Sequence, residues 1–330
     1  MCGTRRIPQK GRIVSEDHRE MNNEEAREAL HVSLPMEAFK AALPYLLALL
    51  LIALAAYWLV DPAPPRKLSI AVSMEDGNSM AYASLYAALL KEEGVTLEIR
   101  NTEGPMQNLD ALRQASGVEL AFVPGGMAGG QSTVGLVSLG SLYYEPLWVF
   151  HTGKRKIEHL SQLNGLRIGV GRPGSSTRLL SGMLLEAAGV DGRNATLYEI
   201  GEEDSKEALK HGVVDVIFLS GVPDSPLIRE VARLPGVALA DLDDTEALAR
   251  QFPFLHHLTL PESALDLRAN IPPQRVDLLA PTVTLVARES LHPALAYLLL
   301  KALTRVHGGA GMLQQEREFP SDKDSDFDLS

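Results

Sequence analysis

The chain has one cysteine, Cys2, among its 330 residues. A single cysteine excludes an internal disulfide framework and a cysteine-based zinc site, and it leaves the redox compartment open. Positive charge is also scarce, because 31 Lys and Arg residues stand against 42 Asp and Glu residues and give a net charge of -11. The basic residues do not gather into a cluster, whereas phosphate neutralisation requires one. The composition therefore excludes a nucleic-acid partner.

Apolar residues are plentiful, since they make up 45% of the chain. A chain of this length and composition can bury the cores of two domains of ordinary size. The longest apolar run covers residues 41–60, "AALPYLLALLLIALAAYWLV", and contains no charged residue. A helix of that length crosses a bilayer core of about 30 Å. The sequence thus predicts a transmembrane helix, and the lipid bilayer as its partner.

A signal peptide is the alternative, because "ALA" at residues 53–55 offers a small-residue cleavage site. The apolar run is longer than a usual signal h-region and follows a polar segment, residues 1–40, so we predict an uncleaved anchor. Lys and Arg residues in that segment place it in the cytoplasm. The proline-rich residues 61–66 form a stiff spacer. The main domain is therefore expected on the periplasmic or extracellular side of the inner (cytoplasmic) membrane, held by a single pass.

From residue 67 onwards, strand-like and helix-like segments alternate. The series "KLSIAV", "VTLEIRN" and "VELAFVPGG" has helical segments between its members, and a similar series restarts after "YYEPLWVF". Such alternation predicts two α/β units with largely parallel sheets. Residues 278–288 have the pattern of a long strand that carries the chain back to the first unit. The last residues, 313–330, are acidic and lack periodicity, so we expect a flexible tail.

The stretch "GVGRPGSSTR" at residues 169–178 has three interpretations. Its glycines match a dinucleotide-binding fingerprint, with Glu199 near the end of the next strand as a ribose-binding acid. It is also consistent with a purely structural turn. The third interpretation, which we favour, is a carboxylate site: a helix capped by Ser175 or Ser176 offers free backbone N–H groups and the positive helix end. Arg178 is then either a bidentate partner of that carboxylate or a solvated helix residue.

Other candidates are weaker. Asn78 or Ser79 is expected to cap the first helix and to face a ligand, while the hydrolase interpretation of this stretch lacks a suitably placed histidine. His256 and His257 are adjacent, so on a strand they point to opposite faces and cannot chelate one metal. No metal site is expected. Glu145, at the join between the two units, either pairs with a buried cation or meets the ammonium group of a ligand.

Several motifs together resemble a known family. The segments "NTEGPMQNLDALRQASGVELAFV", "YYEPLWVF", "LNGLRIGVGRPGSSTRLLSGMLLEAAGV" and "ALKHGVVDVIFLSGVPDSPLIREVA" occur in this order. Over residues 68–306 the chain resembles the TAXI-type solute receptors of tripartite ATP-independent periplasmic (TRAP) transporters. The resemblance implies a two-lobed periplasmic binding protein fold of type II, with residues 67–145 plus 281–312 as lobe 1 and residues 146–280 as lobe 2.

The resemblance also implies a ligand cleft formed by both lobes and by the hinge. The residues it places there are Asn101, Thr102, Gly104, Val123 and Pro124 of lobe 1, Tyr144, Glu145 and Pro146 at the hinge, and Ser175, Ser176, Thr177, Arg178, Ser220 and Gly221 of lobe 2. Such receptors are not enzymes and need no cofactor. They capture an organic acid or amino acid and deliver it to membrane permease subunits.

One stretch departs from the family pattern. In place of a glycine-rich loop, the first lobe has "SMEDGNSMAY", with the carboxylates of Glu75 and Asp76. These would repel a second ligand carboxylate and attract an ammonium group. We therefore expect a membrane-anchored receptor for a small carboxylate-bearing solute, an amino acid or organic acid. The alternatives are a receptor-derived sensor or interaction module without a transport role and, less favoured, an NAD-dependent enzyme.

Overall fold

The computed structural model describes residues 36–59, 64–74, 77–114, 117–129, 132–153, 156–323 and 326–329. Its contacts divide the chain into two compact units, Met1–Ala63 and Pro64–Ser330. Glu75 and Asp76, most of the polar segment 1–40 and residues 61–63 of the spacer lie outside the described residues.

In the first unit, helix α1 spans Met36–Leu59 and includes the apolar run from residue 41 onwards. Its described side chains, those of residues 40–54, are all exposed in the isolated chain. Pro44 lies inside the helix, where it removes a backbone hydrogen bond. Among the parts of the chain that the structure describes, no helix combines the length and apolarity needed to cross a membrane.

The second unit begins with alternating strands and helices. They are β1 (Lys67–Ser73), α2 (Gly77–Glu92), β2 (Thr96–Thr102), α3 (Pro105–Arg113), β3 (Leu120–Pro124) and β4 (Leu136–Tyr144). Strand β1 pairs in parallel with β2 and with β3. Parallel neighbours require crossover helices, which α2 and α3 provide. We call this part, together with the C-terminal half of β11 and helix α8 defined below, lobe 1.

A second series follows. It comprises β5 (Leu147–Thr152), a 3-10 helix (Leu160–Leu163), β6 (Arg167–Gly169), α4 (Ser176–Ala187), β7 (Thr196–Tyr198), α5 (Glu202–Lys210), β8 (Val216–Ser220), α6 (Pro226–Ala232), β9 (Val237–Leu239), α7 (Thr245–Gln251) and β10 (Leu255–Leu260). Strand β6 pairs in parallel with β7 and β8. We call this part lobe 2.

The long strand β11 (Val276–Arg288) joins the two lobes and leads into α8 (Pro293–His307). It pairs with β10 from Val276 to Pro281 and with β4 from Thr282 to Arg288. The strand order is β2-β1-β3-β11-β5-β8-β6-β7, so β11 lies at the centre. The short link from β4 to β5 is a second connection between the lobes. The prediction of an α/β fold with two strand-helix series is therefore confirmed.

Each sheet is covered by apolar side chains on both faces. In β1, Ile70 and Val72 join one cluster with Tyr86 and Phe122, while Ala71 joins another. Strand β8 likewise sends alternate residues to two different clusters. Strands with both faces buried have near-continuous apolar sequences, as helices cover them on both sides. Packing on both faces holds the strands, and therefore the strand ends, in fixed positions.

The C-terminal segment differs from the flexible tail that the sequence predicts. Phe319 is 1% exposed and packs with Tyr144 and Ala280, where the chain crosses between the lobes. Ser321 exchanges backbone hydrogen bonds with Ser141 of β4, at 3.0 and 2.8 Å. Phe327 is buried in a lobe 1 cluster. Composition alone indicates disorder here, because the stretch is acidic and aperiodic. It packs because two aromatic side chains, Phe319 and Phe327, are buried against the folded domain.

Candidate functional site

A small cavity of about 50 Å³ lies between the two lobes. Polar side chains and helix starts dominate its wall, which consists of Ser73, Gly77, Asn78, Pro105, Glu145, Ser175, Ser176, Glu202, Ser220 and Ser225. This volume is well below the roughly 300 to 1,000 Å³ that is usual for small-molecule sites, so the cavity favours a small occupant.

The topology explains why these residues meet. Ser73 ends β1 and Ser220 ends β8, and each of these strands has parallel neighbours, β2 and β3 for β1 and β6 for β8. In parallel sheets, the loops after the strands and the starts of the following helices lie at one edge, where ligands bind. Helices α2, α3, α4 and α5 all begin beside the cavity, and Ser225 is the N-cap of α6. Backbone N–H groups and hydroxyls are therefore concentrated on its wall.

Helix α4 has the best-defined start. Ser175 is its N-cap, and the Ser175 hydroxyl oxygen accepts a hydrogen bond from the Arg178 backbone N–H at 3.1 Å. The same hydroxyl donates to the carbonyl of Arg172 at 2.8 Å. The first helical residue, Ser176, is 9% exposed and lines the cavity directly. The positive end of a helix thus faces the cavity, together with two hydroxyl groups.

Two carboxylates, Glu145 and Glu202, lie in the same wall, and the lining residues include no Lys or Arg. Glu145 is only 4% exposed, and its backbone N–H donates to the Pro281 carbonyl at 3.0 Å. Its carboxylate is thereby held where the two connections between the lobes meet. Glu145 places negative charge on the hinge side, whereas on the lobe 2 side the Glu202 carboxylate lies next to the positive end of α4.

Behind this wall, Thr177 supports two of the lining groups. Its hydroxyl lies 3.0 Å from Ser220 Oγ and 3.3 Å from Glu202 Oε1. Thr177 is buried and does not line the cavity itself. Its role in this arrangement is to orient a hydroxyl and a carboxylate that do.

The lobes touch each other around the cavity. A Cβ atom on Gly104 of lobe 1 would lie 2.6 Å from the carbonyl oxygen of Gly174 in lobe 2. Nearby, the Arg172 guanidinium of lobe 2 donates to the Glu103 carbonyl of lobe 1. Leu179 of α4 packs against an apolar cluster of lobe 1. These contacts bring the two lobes together around the small cavity.

Five residues that the sequence places in the cleft line this cavity: Asn78, Glu145, Ser175, Ser176 and Ser220. A sixth, Gly221, borders it, since a Cβ there would lie 3.8 Å from Asn78 Nδ2. The φ of Gly221 is 150°, a region that favours glycine. Its backbone accepts a hydrogen bond from Trp148 Nε1 at 2.8 Å, which fixes the loop after β8.

Several other expected residues lie inside lobe 1 and away from the cavity wall. The Ser79 hydroxyl is 3.2 Å from Tyr143 Oη in the lobe 1 interior. The Thr102 hydroxyl donates to the side-chain oxygen of Asn108. Val123 belongs to a lobe 1 core cluster, and its neighbour Pro124 ends β3 opposite Val283, while Asn101 is exposed on β2. The position of a residue near a strand end indicates the ligand-binding edge of the sheet, but the side chains of these residues do not line the cavity.

Tyr144 also faces away from the cleft. Its hydroxyl donates to Glu318 at 2.8 Å, and its ring contacts Phe319 at a centroid distance of 5.0 Å. Burial, with the Glu318 hydrogen bond as a second cause, raises the pKa of Tyr144 to about 12. The Tyr144 side chain is therefore neutral at pH 7, and it contacts the C-terminal segment instead of the cavity.

Arg178 is placed differently from the expectation that it binds a ligand carboxylate. Its Nε donates to Glu199 Oε1 at 2.9 Å, and its Nη1 lies over Gly182 one turn further along α4. It lines a neighbouring open groove of about 580 Å³ rather than the cavity between the lobes. The side chain is 34% exposed and paired with Glu199, so it does not reach the cavity.

The sequence-based assignment missed five lining residues: Ser73, Gly77, Pro105, Glu202 and Ser225. Each stands at the end of a strand or the start of a helix in the predicted alternation. The rule that ligands bind beyond the carboxyl ends of parallel strands would have indicated them. The sequence does not distinguish Glu202 from its two acidic neighbours in the first turn of α5.

The glycines of "GVGRPG" have structural tasks. Gly171 has a φ of +85°, and a Cβ there would lie 2.8 Å from the Arg178 backbone nitrogen. Gly174 provides the carbonyl against which Gly104 packs. In this closed form the loop is thus occupied by contacts with α4 and with lobe 1. These contacts fit the turn and anion-site interpretations better than the dinucleotide one.

The two adjacent histidines have different partners. The His256 ring contacts Tyr144 at a centroid distance of 5.0 Å, whereas His257 Nε2 lies 3.3 Å from Asp277 Oδ2. Within the described residues, no group of three or more His, Cys, Asp and Glu side chains is arranged to hold a metal ion.

Two α/β lobes joined by crossing strands, with a polar cleft at the strand ends, define the class of two-lobed solute-binding proteins. Residues 77–305, more than half of the chain, match the NMT1-like family. The chain belongs to this family.

Solved structures of other proteins are similar to about three quarters of this chain. The periplasmic aliphatic sulphonate binding protein SsuA from Escherichia coli is 16% identical, with a TM-score of 0.48 over 74% of this chain and 73% of that chain. An ancestral arginine-binding protein bound to arginine is 15% identical, with a TM-score of 0.46 over 73% and 92%. The Synechocystis PCC6803 CcmR regulatory domain in complex with 2-PG is 17% identical, with a TM-score of 0.49 over 73% and 97%.

Proposed function

We propose that this protein is an extracytoplasmic solute receptor that binds a small carboxylate-bearing solute between its lobes for TRAP-type uptake. The observation that carries the proposal is the cavity itself. It combines the start of α4 with two carboxylates at the interface of two closing lobes. No residue is required to perform chemistry, because lobe closure on the solute is the event that a permease would recognise.

The carboxylate of the solute binds at the start of α4. Ser176, the first residue of the 12-residue helix α4, lines the cavity and offers its hydroxyl and backbone N–H there, while the Ser175 hydroxyl and N–H bond within the turn to Arg172 and Arg178. Helix starts bind anions because their first N–H groups have no partner within the helix and the dipole is positive at this end. The absence of Lys and Arg from the lining residues makes this helix start the anion-binding element of the wall.

A second charge on the solute is positive. Glu145 and Glu202 line the same cavity, and a dicarboxylate would bring another negative charge next to them. Like charges at such short range in a partly desolvated site cost several kcal/mol. An ammonium group instead provides the counter-charge that buried carboxylates require. We therefore favour a zwitterionic amino acid over a dicarboxylic acid, and the small cavity of about 50 Å³ favours a small one.

The TRAP assignment rests on sequence motifs. The "YYEPL" join carries Glu145, and the "GRPGSSTR" turn carries the start of α4, so both family-like motifs contribute residues to the cavity. The receptor is further proposed to be anchored in the inner membrane through residues 41–60, with its main domain outside. The uncharged run and the polar segment before it support this anchoring.

A thermal-shift screen of the full chain tests the proposal, because a ligand that binds only the folded form raises the melting temperature. The panel contains glycine, alanine and serine, then dicarboxylates, keto acids and NAD(H). Stabilisation by small amino acids is expected. Stabilisation by NAD(H) alone would reject the receptor function. Stabilisation by none of these compounds would favour a sensor or interaction module.

A further inference from the structure

A second cavity, of about 370 Å³, lies within lobe 2 and shares no lining residue with the cleft. Strands β5 and β9 form one wall through Phe150 and Leu239, which are partners in the strand register. The loop before β11 forms the opposite wall, through Ile271 and the two prolines that follow it. Cavities of roughly 300 to 1,000 Å³ are the usual size of small-molecule sites.

The lining of this cavity is mainly apolar. It comprises Phe150, Ile157, Ala232, Val237, Ala238, Leu239, Ile271, Pro272, Pro273 and Val276 alongside a few polar residues. The Phe150 ring of this wall stacks on Trp148 in a lobe 2 core cluster, so this part of the wall is packed against the core. An apolar cavity provides favourable burial for an apolar ligand body.

The charged groups in the wall already have partners. Lys156 Nζ pairs with Glu158 Oε1 at 2.8 Å. The Asp241 carboxylate accepts hydrogen bonds from Gln274 Nε2 and from the Asp277 backbone N–H, both at 3.0 Å. A charged ligand would therefore compete with an existing partner at either group, and burying its charge against the apolar wall would be costly.

His151 is a polar residue of this wall that can recognise a ligand. It is 4% exposed, and one ring nitrogen, Nδ1, lies 3.5 Å from the Thr152 carbonyl. Burial lowers the pKa of His151, so its ring is neutral at pH 7. A neutral imidazole can donate or accept one hydrogen bond and attracts no counter-ion.

We propose that this cavity is a second binding site, for a small neutral aromatic molecule with one hydrogen-bonding group, such as a phenol or an indole. The aromatic body contacts the apolar walls, and its hydroxyl or N–H meets His151. This site is independent of the solute cleft and goes beyond the uptake function proposed above.

The test uses the full chain and two probes, phenol and indole, with benzoate as a charged analogue of phenol. Binding is measured by saturation-transfer NMR and by titration calorimetry. The variant is Ala238→Phe, because Ala238 lines the cavity from an exposed strand position and a larger side chain there fills the space. The control is Ala247→Phe, at an exposed position of α7 outside the cavity.

We expect phenol or indole to bind the wild type, and Ala238→Phe to weaken that binding by at least about tenfold, while Ala247→Phe leaves it within about twofold. Benzoate should bind at least about tenfold more weakly than phenol. Absence of phenol and indole binding, equal binding by Ala238→Phe, or tighter binding of benzoate would each overturn the proposal. Glu145→Gln should leave phenol binding unchanged, so failure of the cleft function and failure of this site are distinguishable.

Discussion

Gly104 and Gly174 pack against each other across the cleft, and a Cβ atom on Gly104 would come within 2.6 Å of the Gly174 carbonyl oxygen. The φ of Gly104 is 172°, which is extended backbone available to any residue. Glycine is required here by the neighbouring lobe and not by the backbone conformation. Because the contact joins the two lobes, a methyl group added at Gly104 would interfere with lobe closure.

Gly104→Ala should hinder lobe closure. A contact of 2.6 Å is shorter than real Cβ contacts, and its partner is a backbone atom that moves only with its lobe. We expect solute affinity to fall by at least about tenfold, because closure provides much of the binding energy. Small-angle scattering should show a smaller solute-induced decrease in the radius of gyration.

The matched control is Gly77→Ala. Gly77 also lines the cavity, but a Cβ there meets nothing within 4 Å. This variant should close like the wild type and bind within about threefold of it. Equal closure by Gly104→Ala and the wild type would show that the closed form in solution does not contain this contact.

Glu145→Gln should weaken amino acid binding by about tenfold or more, since a buried carboxylate facing an ammonium group loses its charge. Folding stability should stay the same or rise, because a neutral amide is cheaper to bury. Titration calorimetry and urea unfolding measure the two effects separately. Glu199→Gln, at the partner of Arg178 outside the cavity lining, is the control and should leave affinity unchanged.

Arg178→Ala should change solute affinity by less than about threefold. The guanidinium is paired with Glu199 at 2.9 Å, and partly exposed pairs of this kind contribute only about 0 to 1 kcal/mol. Ser176→Pro, which removes a backbone N–H at the start of α4, should weaken binding by much more. The reverse order of these two effects would place the guanidinium in the binding site.

Phe319→Ala should lower the free energy of unfolding by about 3 to 5 kcal/mol, the usual cost of removing a fully buried aromatic ring. Phe319 is 1% exposed and packs between Tyr144 and Ala280. Leu329→Ala, at a side chain that is 58% exposed, should cost less than about 0.5 kcal/mol. Similar urea midpoints for the two variants would mean that the C-terminal segment is detached in solution.

His307 should make stability depend on pH. Burial lowers its pKa from 6.5 to about 4, and its Nε2 bonds with the Tyr86 hydroxyl. Between these two pKa values the unfolded chain binds a proton that the folded chain does not, so folding stability falls as the pH decreases. From pH 7 to pH 5, the stability advantage of wild type over His307→Gln should shrink by roughly 1 to 2 kcal/mol. A constant difference would exclude this titration.

The sequence predicts most of the fold because its strands have period-2 or continuous apolar patterns and its helices follow at regular intervals. It predicts Ser175, Ser176 and Glu145 in the cavity for local reasons: a helix cap and a lone acid at a join. It could not predict the orientation of Arg178 or Tyr144. Those depend on Glu199 and on the C-terminal segment, which reach them only through tertiary packing.

The central claim is that the cleft binds a small zwitterion, with its carboxylate at α4 and its ammonium group at Glu145 and Glu202. Titration of the full chain with alanine, propionate, ethylamine and succinate tests it most directly, because the middle two compounds each lack one charge of alanine. The account predicts that alanine binds at least about tenfold more tightly than each of the other three. Tighter binding of succinate or propionate than of alanine would contradict it.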